Sequence, residues 1–287
     1  MQGHEGLLLV GHGSQSADSE TEMRAIAALV ASQLPEVMVD VGFLEMTEPS
    51  AGVVLDRLVD RGCHRIVVLP LVLLGAGHAK NDVAAVAIEG RERHPRCDLR
   101  FGSPLGVAKD LVAAMGDAVT AAGGGGLPLL LVARGTSDPD ANGDAAKAAR
   151  LVGEWSDARF VHTGYTGVTG PLVPDALEVF DRLGFERMVL CFWFLCTGRL
   201  IERARADIAA FTDRTGVAVI DVGYFGADRR LLPTILERYG QAQAGTPLVN
   251  CDACSYRSPW PGHEHRVGQP IGVGHSHLAA EHRHAHR

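Results

Sequence analysis

The chain repeats itself. At an offset of 122 residues Leu7-Leu8-Leu9-Val10 falls on Leu129-Leu130-Leu131-Val132, His12-Gly13 on Arg134-Gly135, Phe43 on Tyr165 and Pro49 on Pro171. Asp56-Arg57-Leu58 falls on Asp181-Arg182-Leu183 if the second copy's helix gains three residues that are lost again by Gly62 and Gly184. Arg65-Ile66-Val67 then meets Arg187-Met188-Val189, and one deletion near Gly75 sets Gly77-His78 against Gly198-Arg199. An ordered series of matches at one period marks a duplicated unit, and it dictates one fold written twice. Gly123 to Gly126 is the natural linker.

Each copy reads as strand and helix in alternation, four times over. Residues 6–10 form a short apolar run ending in glycines, and Met23, Ile26, Ala27, Val30 and Leu34 follow at helical spacing. Residues 37–43 alternate toward a second strand, Pro49 opens the next helix, and 66–69 is a continuous apolar run of the kind buried on both faces. The pattern predicts an α/β protein of two tandem duplicated domains. Each is a small parallel sheet with right-handed crossovers and helices on both faces. A chain of 287 residues is long enough for two such domains with a core apiece. The expected boundaries are 1–122, a linker at 123–126, a second domain at 127–245 and a flexible tail at 246–287.

Bulk properties remove several classes of function. A formal charge of −7 argues against nucleic acid as a partner, since phosphate binding needs a basic surface. A local basic pocket for an acidic small molecule stays compatible with it. The longest apolar stretches, 66–74 and 188–196, are too short to cross a bilayer. No N-terminal segment has the form of a secretory leader, so the cytoplasm is the expected compartment. Six cysteines in a chain of this length are no disulfide scaffold. Cys63, Cys97, Cys191 and Cys196 sit in or beside apolar segments, as small hydrophobes do.

Ligands of open parallel sheets bind beyond the carboxyl ends of the strands. That rule sorts the histidines. His12 follows the first strand by two residues, Glu45 follows the second, and His78 lies in the Gly-rich loop after the third. All three are expected at one edge of one sheet, whereas His64 and His94 precede strands and belong at the other. Two imidazoles and a carboxylate suit Co²⁺, Ni²⁺, Fe²⁺ or Zn²⁺, and without a thiolate the metal exchanges readily. Gly11, Gly13, Gly75 and Gly77 would let backbone approach a flat ligand. Competing readings are weaker. The third glycine of GxGxxG is replaced by Ser16, no GxxxxGK[ST] occurs, and no GxSxG elbow surrounds Ser14.

Leu9-Val-Gly-His12-Gly-Ser14, Phe43-Leu-Glu45 with Pro49 following, and Leu69-Pro70 leading to Gly75-Ala-Gly-His78 together resemble the small class II tetrapyrrole chelatases. More narrowly, they resemble the sirohydrochlorin cobaltochelatases of cobalamin synthesis and the related sirohaem iron chelatases. The resemblance runs over both copies, roughly residues 6–240, in the double-length form of a family whose shorter members dimerise. It implies ATP-independent insertion of Co²⁺ (or Fe²⁺ or Ni²⁺) into sirohydrochlorin. His12 and His78 match the metal ligands and Glu45 the acidic residue, with one of the three taking up pyrrole protons. Gly13, Ser14 and Lys80 are expected to contact substrate. Both halves being present in one chain, a monomer is expected.

In the second copy Arg134 and Arg199 stand where His12 and His78 stand in the first, Gly167 faces Glu45, and Ile201 faces Lys80. The substrate that the resemblance implies is a polycarboxylate, and arginine forms bidentate carboxylate contacts. The second domain is therefore expected to clamp the macrocycle while the first inserts the metal. Beyond about Thr246 the repeat ends. Cys251 and Cys254 form a CxxC able to hold zinc or an Fe–S cluster if other ligands complete the site. Seven of the thirteen histidines follow in a tract that suits loose metal storage or delivery. A non-catalytic metal carrier or sensor is the alternative from another class, and a dinucleotide oxidoreductase a more distant one.

Overall fold

The computed structural model describes residues 4–247, 254, 256–257 and 260–269. The first half runs β1 (His4–Gly11), α1 (Ala17–Gln33), β2 (Val37–Phe43), α2 (Ala51–Asp60), β3 (Cys63–Pro70), α3 (Val83–Arg93), β4 (Asp98–Phe101) and α4 (Lys109–Ala121). A single π-helical turn, His78–Asp82, precedes α3. The second half repeats this as β5 (Leu129–Ala133), α5 (Pro139–Trp155), β6 (Val161–Tyr165), α6 (Val173–Arg182), β7 (Arg187–Phe192), α7 (Arg199–Thr215), β8 (Ala218–Asp221) and α8 (Leu232–Gln243). Both sheets are parallel, in the orders β2-β1-β3-β4 and β6-β5-β7-β8.

The duplication keeps its 122-residue offset further than the sequence comparison allows. α2 and α6 each have ten residues. Buried Ala51, Val54, Leu55 and Leu58 answer to Val173, Ala176, Leu177 and Phe180 without any insertion. The three extra residues inferred for the second copy are therefore wrong. They brought exposed Asp-Arg pairs into line, whereas helical burial at i, i+3, i+4 and i+7 fixes the true register. Pro49 also stands before the helix rather than opening it; Ser50 is the cap, its Oγ accepting from the Val53 N–H at 3.4 Å.

Alternate residues of each central strand face two layers. Leu8 and Val10 pack outward with α2 and α3, and Leu130 and Val132 outward with α6 and α7. Leu7, Leu9, Leu129 and Leu131 turn inward to a cluster that also holds residues of α1, α4, α5 and α8. The halves thus share a central core besides the outer cluster that each has to itself. They also exchange their last helices. α8 lies on β3, β4 and α1 of the first half, and α4 on α5 and β7 of the second. Arg238 of α8 donates to the carbonyls of Pro104 and Leu105. Between the halves, residues 123–126 make a fixed turn rather than a loose tether. Gly124 N–H donates to Val119 O at 2.9 Å and Gly126 N–H to Ser156 O at 3.0 Å.

Candidate functional site

The loops after β1 and β2 form one unit. Glu45 N–H donates to His12 O at 3.1 Å, Leu44 N–H to Gly11 O at 3.0 Å, and Thr47 Oγ1 donates to Ser14 O while accepting from Ser14 N–H, each at 3.0 Å. Gly13 makes this closeness possible. Its φ is +94°, and a Cβ there would lie 1.8 Å from Glu45 O. The same join recurs in the second half, where a Cβ on Gly135 would lie 2.1 Å from Gly167 O.

Two predicted residues meet here. His12 Nε2 and Glu45 Oε1 are 3.2 Å apart, with 21% and 31% of their side chains exposed. The pair is reachable from solvent yet walled on most sides. His78 opens the π-helical turn after β3, at the same carboxyl edge. Its side chain lies outside the described residues. A π-turn widens the helix locally and is a frequent companion of functional sites. His64 and His94 stand at the opposite edge, His64 against His4 O and His94 against Asp56 at 2.7 Å.

Arg134 is exposed, and its backbone carbonyl accepts from Thr166 Oγ1 at 3.0 Å. Burial by the surrounding protein lowers its pKa and the charge of Glu45 opposes that, so Arg134 lies within electrostatic reach of Glu45. Open to solvent, the guanidinium stays a cation. Arg199 is the first residue of α7 and donates to Gln15 Oε1 at 3.2 Å, across the two halves. Ser14 Oγ accepts from Ser16 N–H at 3.0 Å, so its hydroxyl is used to shape the loop.

Lys80 differs from expectation. Its Nζ is 2.8 Å from Asp138 Oδ2 and 3.1 Å from Asp140 Oδ2, with only 13% of the side chain exposed. Burial works to lower its pKa, but the bonds and charges of Asp138 and then Asp140 prevail and hold it above the ordinary lysine value. A cation so engaged is a tie between the halves. The sequence hides this because the partners lie 58 and 60 residues away, and Asp138-Pro139-Asp140 reads simply as a helix start. Glu22 and Gln15 were missed for the same reason. Glu22 accepts from Thr197 N–H and from the Tyr224 hydroxyl, both at 2.7 Å, over more than 170 residues of chain.

Of the tail, Tyr256 meets Asn81 of the π-turn and Arg266 Nη2 lies 3.3 Å from Ser137 Oγ. Cys254 is half-buried; Cys251 and the last five histidines lie outside the described residues. Among the described residues no three His, Cys, Asp or Glu side chains gather as a metal site.

The CbiX family model matches residues 6–122 and again 128–242. The chain belongs to the CbiX family. Over 266 residues it is 30% identical to a sirohydrochlorin cobaltochelatase of Priestia megaterium, covering 90% of this chain and 87% of that one. A sirohydrochlorin ferrochelatase of Bacillus subtilis is 27% identical over 212 residues, 71% of this chain and 79% of the relative. Among solved structures, SirB from Bacillus subtilis with Fe³⁺ superposes with a TM-score of 0.76 at 24% identity, over 85% of this chain and 97% of that one. The fold is shared throughout. Each CbiX match spans one copy of the repeat.

Proposed function

We propose that this CbiX-family chain inserts a divalent metal ion, Co²⁺ foremost, into sirohydrochlorin as a step of cobalamin synthesis. The observation that carries the reading is the His12–Glu45 pair, 3.2 Å apart at the strand edge to which the π-turn brings His78. Full-length similarity to a cobaltochelatase supports cobalt as the metal.

Insertion exchanges two pyrrole N–H protons for one M²⁺, so the protein must hold the metal loosely and take up protons. His12 and His78 are the ligands, nitrogen donors of borderline softness without a thiolate to slow release. Glu45, in reach of His12 Nε2, is the acceptor through which protons leave. Arg134 and Arg199 anchor the carboxylates of the macrocycle, and Gly13 and Ser14 shape the loop beneath it. No nucleotide is needed, since coordination by four ring nitrogens drives the exchange.

Iron is the second reading, favoured by the ferrochelatase relatives and by a donor set that accepts both ions. A CxxC supplies two thiolates, half of what a cluster takes, and no step here depends on one. No helix among the described residues is long and apolar enough to cross a membrane; the cytoplasm is the compartment we assign.

The test is anaerobic incubation with sirohydrochlorin and Co²⁺, Fe²⁺ or Ni²⁺ in turn, followed by absorption. Fastest conversion with Co²⁺ is expected, and its loss in the His12→Ala, His78→Ala double variant. Substantial turnover by that variant, or no spectral change with any ion, overturns the reading.

A further inference from the structure

The ties between the halves are not scattered. In each half the loop after the third strand carries a residue of the site: His78 opens the π-turn after β3, and Arg199 opens α7 after β7. Each loop is held by residues from the start of the first helix of the other half. Lys80, two residues beyond His78, is bound by Asp138 and Asp140, which cap and open α5. Thr197, two residues before Arg199, gives its N–H to Glu22 of α1, and Arg199 itself bonds Gln15, which directly precedes that helix's cap. The 122-residue offset puts the tying residues on equivalent helix starts, though not at equivalent positions. Ser16 and Asp18 answer to Asp138 and Asp140, and Glu22 answers to Asp144, a half-buried carboxyl within electrostatic reach of Asp140 and Lys80.

We propose that the halves position each other's ligand-bearing loops. Asp138 and Asp140, in the half that carries the arginines, set the metal loop through Lys80. Glu22, in the half that carries His12 and Glu45, sets the macrocycle anchor Arg199. This rests on the reading of His78 as a metal ligand and Arg199 as an anchor, and it makes Glu22, Asp138 and Asp140 positioning residues.

The physical case is one of unequal anchoring. His12 and Glu45 are held by backbone bonds inside their own half, whereas the loops after β3 and β7 take ionic and charge-assisted bonds from across the interface. Such bonds are the stronger kind, and here they are shielded: Asp138 and Asp140 side chains are 1% and 9% exposed. Glu22 uses both oxygens, one on the Thr197 N–H and one on the Tyr224 hydroxyl, with the Cys196 thiol beside them. Its carboxylate thereby fixes the residues immediately before α7. The metal and macrocycle groups consequently come into register only when the halves are closed on each other.

The crossing gives an expectation that ordinary destabilisation does not. Glu22→Ala should raise the KM for sirohydrochlorin about tenfold, the scale of one lost charge-assisted bond, with KM for Co²⁺ unchanged. Glu22→Gln, which keeps an acceptor for Thr197, should restore most of it. Asp138→Asn with Asp140→Asn keeps the helix cap but frees Lys80. That pair should weaken Co²⁺ binding, measured by calorimetry with the metal alone, and leave the KM for the macrocycle in place. The proposal is overturned if each variant affects the constant of its own half, or if both move both constants alike at matched melting temperature. Arg199→Ala separates the underlying reading. If it leaves the macrocycle KM unchanged, Arg199 is no anchor, and the crossing then stands or falls on the Co²⁺ affinity of the Asp138 and Asp140 variant.

Discussion

Gly13 and Gly77 stand on either side of the same site and do different things. Gly13 occupies the left-handed region at φ +94°, and any Cβ there would run into the Glu45 carbonyl. Its small size therefore serves the join between the β1 and β2 loops, and so the spacing of His12 from Glu45. A Cβ on Gly77 meets nothing within 4 Å among the described residues. Gly13→Ala is expected to cost about 1–3 kcal/mol in a urea melt and to lower turnover with it. Gly77→Ala should leave the melt unchanged. Of the four glycines read from sequence as giving room to a flat ligand, Gly11 and Gly13 instead make room for protein, since a Cβ on Gly11 would lie 2.4 Å from Met23 Cε. The strand-end rule found His12 and Glu45 because it needs only local order along the chain. It could not find Glu22 or the partners of Lys80, whose contacts exist only once the halves have met.

Among the elements, α8 shows how far an exchanged helix enters its host. Tyr239 of α8 donates its hydroxyl to Glu5 Oε2 of β1 at 3.3 Å and accepts from Gln243 Nε2, and Arg100 of β4 reaches the Gln243 carbonyl. Burial, seconded by the charge of Glu5, raises the Tyr239 phenol from an ordinary 10.0 to about 12. The unfolded chain therefore loses this proton first as pH rises. The stability contributed by the neutral phenol is complete below about pH 10 and is lost between there and about 12. Tyr239→Phe should lower stability at pH 8 by about 1 kcal/mol and make the alkaline fall shallower, which denaturant melts at pH 8, 10 and 11 would measure. A fall of unchanged steepness would mean that other groups carry it. The strands and helices themselves were legible in the apolar periodicity, down to the buried positions of α1. The register of α6 was not, because the Asp-Arg pairs that line up lie on the solvent side of the helices while burial alone fixes the register.

At the scale of the whole molecule, the exchange of α4 and α8 makes the duplication more than two domains on a tether. The inner face of the first sheet, with Val67 and Leu69 of β3, is covered partly by a helix that arrives more than a hundred residues later. No pattern in either copy announces this, since α4 and α8 have apolar faces that would suit either sheet. The consequence concerns the first half by itself. Expressed as residues 1–126, it retains α4 but lacks the helix that covers β3 and β4. Large apolar side chains left bare there would each forgo roughly 1.5–3 kcal/mol of burial. A second copy can supply the missing helix, because α4 is to the second sheet what α8 is to the first. The fragment is expected to be a two-fold dimer in light scattering, with each α4 laid on the other copy's sheet. That dimer would hold two copies of His12, Glu45 and His78 and neither Arg134 nor Arg199. Lacking Asp138 and Asp140 as well, it should bind both Co²⁺ and the polycarboxylate macrocycle more weakly than the full chain. A stable folded monomer would show that α1 alone closes the sheet, and macrocycle binding as tight as the full chain's would remove the arginines from the clamp.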